Sequence, residues 1–445
     1  MDGYRLLAGE SRPKQKGRGS LVVTYYALIA SICSAMTGYC GGVMSGAILF
    51  IRKDLNINYI QEEILMGSLV LISLVGGIIA GLLADTIGLK KSMLVAAIIV
   101  IAGSGMMGLA PSFWLLLLGR VITGIGYGFS FVLVPLYIAE VSPPEVRGRL
   151  LTFQDILGNG GILLGYVSSF CLAQLPVFIS WRLMVGLGAL PAIILAFAGV
   201  FSIPESPRWL LLWPTSNLRR IMFVALGLQF FQQASGIGAI LFYSPLIFDM
   251  AGFQSNLGNL GATVLVGIIK VAFLPVATIF LDRFGRRPLL LISNVGMAAC
   301  MSTLAIRFAV IQIPPRNSTG TNLQGYLTVA ACCSFMAFFS VGFGPICFSL
   351  PSEIFPLRLR AQGVSLSTAF NRFLSGVLSV TFLSILKLVG AAGTFSLFAG
   401  MSTISIWFVY FCVPETKGRT LEELSPYLHD MLLKFLLFFE RQTSL

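Results

Sequence analysis

Three short charged boxes occur twice in this apolar chain, in the same order and at nearly constant spacing. Asp85-Thr86-Ile87-Gly88-Leu89-Lys90 returns as Asp282-Arg283-Phe284-Gly285-Arg286-Arg287, 197 residues later. Glu140-Val141-Ser142-Pro143 with Arg147 returns 213 residues later as Glu353-Ile354-Phe355-Pro356 with Arg360, and Pro204-Glu205 returns 210 later as Pro414-Glu415. Ordered recurrence of this kind predicts a duplicated unit in parallel arrangement, a construction common among membrane carriers. It constrains the fold to two related halves before any helix is assigned.

The solvent for those halves follows from composition. Of 445 residues, 56% are apolar and only 11% charged, with mean hydropathy +0.88. A soluble domain of this size has no means of hiding so much apolar surface, so lipid must surround most of it. The formal charge of +12 sits in short turns between apolar runs, as a topology signal does, and not on one face as nucleic-acid binding requires. All eight cysteines lie inside apolar runs without metal-type spacing, and the lone His429 falls in the C-terminal tail. No metal, cofactor or covalent chemistry is expected, and the chain does not read as an enzyme.

Twelve apolar runs are long enough to span a bilayer: 21–49, 64–84, 92–110, 115–138, 150–172, 182–203, 219–246, 257–281, 288–309, 325–350, 361–387 and 393–413. With the N-terminus inside, cytosolic segments collect 21 Lys/Arg and outer turns six, while Arg120, Lys270 and Arg372 lie within spans. That asymmetry places both termini in the cytosol. The expected division is a tail (1–20), a six-helix half (21–203), a short linker (204–218), a second six-helix half (219–413) and a tail (414–445). Residues 1–20 read as a cytosolic tail, because the apolar run that follows is too long for a signal peptide. Asn317-Ser318-Thr319 is a weak glycosylation signal in an outer turn.

Glycines cluster in every third run: Gly38/Gly41/Gly42, Gly124/Gly126/Gly128, Gly236/Gly238 and Gly342/Gly344 with Pro345. Such clusters weaken helices, tolerable where a wet cavity re-satisfies the backbone, or they let helices approach closely. Their recurrence favours a central pathway.

These boxes together resemble the sugar porter family of the major facilitator superfamily. The resemblance rests on Gly81…Asp85…Gly88…Lys90-Lys91, Gly119-Arg120…Gly124-Ile125-Gly126, Pro135-Leu136-Tyr137-Ile138-Ala139-Glu140 and Pro204-Glu205-Ser206-Pro207-Arg208. In the second half it rests on Gln232-Gln233-Ala234-Ser235-Gly236-Ile237, Asp282 to Arg287 and Pro414-Glu415-Thr416-Lys417-Gly418. Gly42 to Ala47, Tyr243-Ser244-Pro245 and Ser352 to Gly363 are most similar to plant polyol and monosaccharide proton symporters. The resemblance runs from about residue 20 to 425 and implies an all-α, twelve-helix, alternating-access carrier.

A polyhydroxylated substrate calls for neutral groups that both donate and accept, with an aromatic face against its C–H surface. Gln229, Gln232 and Gln233 supply amides on one stretch of the seventh run; polar glue between helices is the competing reading. The resemblance implies sugar contacts at Gln232 and Gln233, and it adds Tyr243, Phe348 (where the family carries a stacking Trp) and Asn371, beside which Arg372 is a further donor. Proton-coupled members carry Asp after Gly-Tyr in the first span, paired with an Arg in the fourth. Here Cys40 follows Gly38-Tyr39, which leaves Arg120 without that partner, and a thiol is a poor proton carrier at neutral pH. Asp155 reads as the one acid inside a span, so it is the candidate for both substrate contact and proton coupling, with Arg120 as the associated cation. A structural salt bridge is the alternative.

Charges at helix ends are read as a cytosolic gate: Asp85, Glu140, Arg147, Arg149, Glu205, Arg208, Asp282, Arg286, Arg287, Glu353, Arg360 and Glu415. The cytosolic segment the family carries between its halves is nearly absent, which removes expected partners for these charges. The expected function is transport of a polyol or monosaccharide by a monomeric, multi-pass protein of the plasma membrane or tonoplast, with the proton as coupling ion. The alternatives are an uncoupled facilitator, a non-transporting sugar sensor, and an inactive truncated paralogue.

Overall fold

The computed structural model describes residues 18–142, 144–202, 218–252, 255–311, 321–355 and 360–416. Among these the chain is helical, with no strand. The first half contains α1 (Arg18–Leu55), α2 (Tyr59–Ile87), α3 (Leu89–Gly108), α4 (Phe113–Val141), α5 (Pro144–Leu172), α6 (Val177–Gly186) and α7 (Ala189–Ser202). The second contains α8 (Leu218–Ala234), α9 (Ile237–Met250), α10 (Asn256–Phe284), α11 (Arg286–Ile311), α12 (Thr321–Phe338), a π-helical turn (Phe339–Phe343), α13 (Gly344–Ile354) and α14 (Arg360–Cys412).

The duplicated box is a duplicated backbone device. Gly88 (φ 91°, ψ 162°) and Gly285 (φ 90°, ψ 172°) each end one long helix and start the next, in a conformation that side chains with a Cβ rarely adopt. At Gly285 a Cβ would also stand 2.7 Å from the Glu415 carboxylate. Elsewhere local chemistry sets the ends: Ser255 Oγ accepts from the Gly258 N–H at the start of α10, and Gln61 Oε1 accepts from the Asn58 N–H at the start of α2.

Among the described residues, eleven helices or helix pairs are long and apolar enough to cross a membrane. The last, Leu366–Cys412, has 47 residues. Straight, it would measure about 70 Å at 1.5 Å per residue against a hydrocarbon core of about 30 Å. Gly390 (φ 76°, ψ 169°) breaks it, and the apolar runs 361–387 and 393–413 fall on either side.

Glycine has different roles in the two halves. In α1, a Cβ on Gly38 would lie 1.9 Å from the Gly158 carbonyl oxygen of α5, and one on Gly42 would lie 2.5 Å from that of Ile162. In α4, a Cβ on Gly128 would lie 2.1 Å from the Ser73 carbonyl oxygen. These first-half helices run unbroken, so their glycines serve close packing. In the second half, Gly236 (φ 87°) separates α8 from α9, and Gly342 lies in the π-helical turn. There the clusters are true interruptions.

The halves meet along two seams, α2 against α14 and α5 against α10, with α1 also touching α9. Close approach is concentrated toward the face where α1 ends and α2 begins. Gly67 lies against Val380, Leu71 against Gly376, Phe170 against Gly261, and Tyr166 against Gly267. Toward the face that carries the chain ends, residues 151–160 of α5 are all partly exposed, and a Cβ on Gly160 would meet nothing within 4 Å.

Candidate functional site

The amides predicted on the seventh run converge on one residue of α14. Asn371 donates through Nδ2 to Gln229 Oε1 (2.7 Å) and to Gln232 Oε1 (2.7 Å). Its Oδ1 accepts from Gln233 Nε2 (3.0 Å) and from Arg372 Nη2 (2.8 Å). The outer donors of the glutamines reach the interrupted helix: Gln229 Nε2 to the Cys347 carbonyl (2.7 Å) and Gln232 Nε2 to the Phe343 carbonyl (3.3 Å). The π-helical turn and α13 thus present carbonyls to α8, and Asn371 ties α8 to α14. All four amides are buried, and each hydrogen-bonds in the bond types a sugar hydroxyl would offer.

Around this hub, Phe348 is partly exposed on α13. Tyr243 is buried at a non-helical point of α9 (φ −117°, ψ 15°), donates its hydroxyl to the Ser379 carbonyl (2.6 Å) and packs on Phe382. Arg372 reaches toward the first half, with its guanidinium 4.1 Å from the Phe131 ring centroid. Its Nε is buried without a partner.

Asp155 and Arg120 are not brought together; no ion pair joins them among the described residues. Arg120 is buried and donates to main-chain carbonyls, Nε to Leu65 (3.3 Å) and Nη1 to Cys40 (3.1 Å), which satisfies a cation lacking a carboxylate. The cation whose field reaches Asp155 is Lys270 of α10, buried across the second seam with its ammonium 5.8 Å from the Phe339 ring. From the sequence, Lys270 stands beside Arg120 as one of two cations within spans that could act on Asp155, and Arg120 is the one taken as its associated cation.

A second finding corrects the sequence reading. Asp155 is not the one acid within a span: α2 begins at Tyr59, not 64, and its first turn buries Glu62 and Glu63. Placed at the edge of an apolar run, both looked like loop residues. Glu63 is held against α14, and Glu62 faces residues of α1 and α9, neighbours that no local pattern reports.

Of the gating charges, Glu205 and Arg208 lie outside the described residues, as do the side chains of Asp85, Arg147, Arg149, Asp282 and Arg360; so does Asn317. Glu140 is partly buried at the end of α4. The rest form a network inside the second half. Arg286 pairs with Glu353 (2.8 Å), Thr416 donates to the same carboxylate, and Glu415 accepts from the main-chain N–H groups of Arg286 and Arg287 (3.0 Å each). Arg287 caps the Tyr410 carbonyl.

A family model described as "Sugar (and other) transporter" matches residues 26–213 and 211–428, its two parts meeting in the short linker. The chain belongs to this family. As a sugar transporter family member it is a carrier and not an enzyme. It is 39% identical to "Polyol transporter 5" of Arabidopsis thaliana, over 89% of this chain and 84% of that one. It is 30% identical to the "Galactose-proton symporter" of Escherichia coli (strain K12), over 92% and 96%. Among solved structures, this transporter superposes on that of a "D-xylose-proton symporter" with a TM-score of 0.75 at 26% identity, covering 89% of this chain and 99% of that one. The major facilitator fold implied by the duplicated boxes is therefore the fold of this protein.

Proposed function

We propose that this transporter carries a polyol or monosaccharide by alternating access, as a symporter driven by protons. The single observation that carries the reading is the Asn371 hub, where four amides and a guanidinium meet beside the interrupted helices. A substrate hydroxyl entering it exchanges one hydrogen bond for another without leaving a buried group unpaired, which keeps the cost of loading and unloading low. Phe348 and Tyr243 supply the aromatic surface.

In this reading twelve helices divide between residues 21–203 and 219–413, joined by 204–218. Both termini lie in the cytosol and the protein is a monomer in the plasma membrane or tonoplast. The face joining α1 to α2 is then extracellular and closed, and the partly exposed stretch 151–160 faces the cytosol. Asp155 is the proton-carrying group, with Lys270 opposite it as counter-charge for the empty, deprotonated carrier. Proton symport is also what two similar proteins are named for. The second reading, uncoupled facilitation, is favoured by one observation: Cys40 and the carbonyl-satisfied Arg120 leave the usual pair of the first and fourth spans without an acid.

Uptake of labelled glucose, sorbitol and inositol into proteoliposomes, with and without an inward proton gradient, separates the two. Gradient-driven accumulation that Asp155→Asn abolishes, with exchange of substrate across the membrane retained, is the expected result. Equilibration without accumulation in the parent protein would establish the facilitator and leave Asp155 structural.

A further inference from the structure

The two buried carboxylates of α2 have no part in the amide hub, yet one of them crosses between the halves. Glu63, 6% exposed, accepts from the main-chain N–H of Ser384 (2.5 Å) and from its hydroxyl (2.9 Å), both on α14. A carboxylate that accepts two hydrogen bonds forms stronger ones than a neutral acceptor. A second tie crosses the same seam four residues away in sequence. Lys387 of α14 places its ammonium 3.8 Å from the centroid of the Tyr59 ring, on which Arg52 of α1 also rests at 4.7 Å. Arg52 fixes that ring by donating to its hydroxyl (3.2 Å). Beneath these ties Glu62, 4% exposed, keeps an oxygen without a hydrogen-bond partner. It lines a cavity of about 20 Å³ with Ser45, Leu49, Arg52 and Tyr243, enough for one water.

We propose that Glu63 is a positioning residue of the transport cycle: its carboxylate, clasped to Ser384, latches the outer mouth shut and sets how often the substrate site faces outward. The argument is geometric. Close packing along this seam comes from small and branched residues (Gly67 on Val380, Leu71 on Gly376), which fix the shape of the closed seam but not its strength. The directional, charge-assisted contacts at its rim are those of Glu63, and they must break each time the seam opens. Glu62 next to it is the natural acceptor for water entering the opened mouth, since one of its oxygens has no bond to give up. The latch restrains only the closed state and touches no substrate atom, so it acts on the inward–outward distribution and not on recognition.

The word "outer" rests on the orientation proposed above, and the test separates the two. A Leu49→Cys reporter, placed in α1 beside the small cavity, is introduced with Cys171→Ser to remove the exposed native thiol. Labelling by a membrane-impermeant maleimide is timed from each side in the parent, Glu63→Gln, Ser384→Ala and the double variant. The amide of Glu63→Gln still accepts from the main-chain N–H and turns its NH₂ to the Ser384 hydroxyl, so the variant removes the charge that strengthens these contacts while keeping their shape. Outside labelling is expected to speed up on the order of tenfold, equivalent to about 1.4 kcal/mol in the opening equilibrium. Ser384→Ala, which removes only the hydroxyl of an exposed residue and leaves folding intact, gives a smaller rise. The double variant is expected to match Glu63→Gln alone, since the two side chains share one interaction. External KM should fall by a similar factor while maximal exchange rate is kept, because the fraction of carriers open to the outside rises. Parent-like labelling in both single variants, or additive effects in the double, would overturn the latch. Acceleration confined to reagent added from the opposite side would overturn the orientation and leave the latch standing.

Discussion

Replacement of Asn371 by alanine removes four hydrogen bonds at once, to Gln229, Gln232, Gln233 and Arg372. Three of these join α8 to α14, and interhelical hydrogen bonds in membranes average about 0.6 kcal/mol each, so loss of those contacts alone costs about 1.8 kcal/mol. Removing the hub also strands two glutamine oxygens and one glutamine donor in a buried setting, and each such group adds about 1–3 kcal/mol unless water reaches it. Water filling the space left by the amide would keep the total near the contact term, about 2 kcal/mol. Thermal unfolding of detergent-purified protein, followed by size-exclusion, should show a transition lowered by several degrees. The decisive measurement is the effect of substrate on that transition. A ligand present at 100 times its Kd stabilises by about 2.7 kcal/mol, a shift that the parent should show with sorbitol or another true substrate. Asn371→Ala should lose both baseline stability and the substrate-induced shift. If the variant is destabilised but the substrate-induced shift survives at full size, the amides are glue between α8 and α14, and the site has to be sought elsewhere.

Other expectations are simpler to state. Gly38→Ala should abolish folded expression, because its Cβ would lie 1.9 Å from a backbone oxygen of α5 that has no freedom to withdraw; normal expression would mean that α1 and α5 are further apart than described. Glu353→Gln should weaken the Arg286 pair, which is partly exposed, and lower thermal stability by on the order of 1 kcal/mol while leaving exchange transport intact if the pair is structural; a loss of transport at unchanged stability would support the gating role expected for this charge.

The fold was legible in the chain because its signals are local. A box of Asp, Gly and basic residues specifies a helix-to-helix turn wherever it stands, and Gly88 and Gly285 adopt the same conformation for that reason. The glutamines of α8 were legible too, since their spacing places them on one side of a helix. Asn371 as their common partner was not a matter of spacing: it lies 138 residues from Gln233 and entered only through family resemblance. Glycine was ambiguous in principle, because the same residue permits a close approach in α1 and a break before α9, and only the neighbouring helix decides which. Glu62 and Glu63 escaped notice because burial at the end of an apolar run is conferred by a helix from the other half. Lys270 was visible as a buried amine, but its relation to Asp155 depends on how α5 and α10 are set against each other.

The described contacts of Arg286, Glu353, Glu415 and Thr416 with one another all lie within the second half. The shortness of residues 204–218 reads in the sequence as a loss of partners for such charges; Arg286 and Glu353 have each other as partners. Two separately translated fragments, cut anywhere in 204–218, should find each other in the bilayer and regain exchange activity.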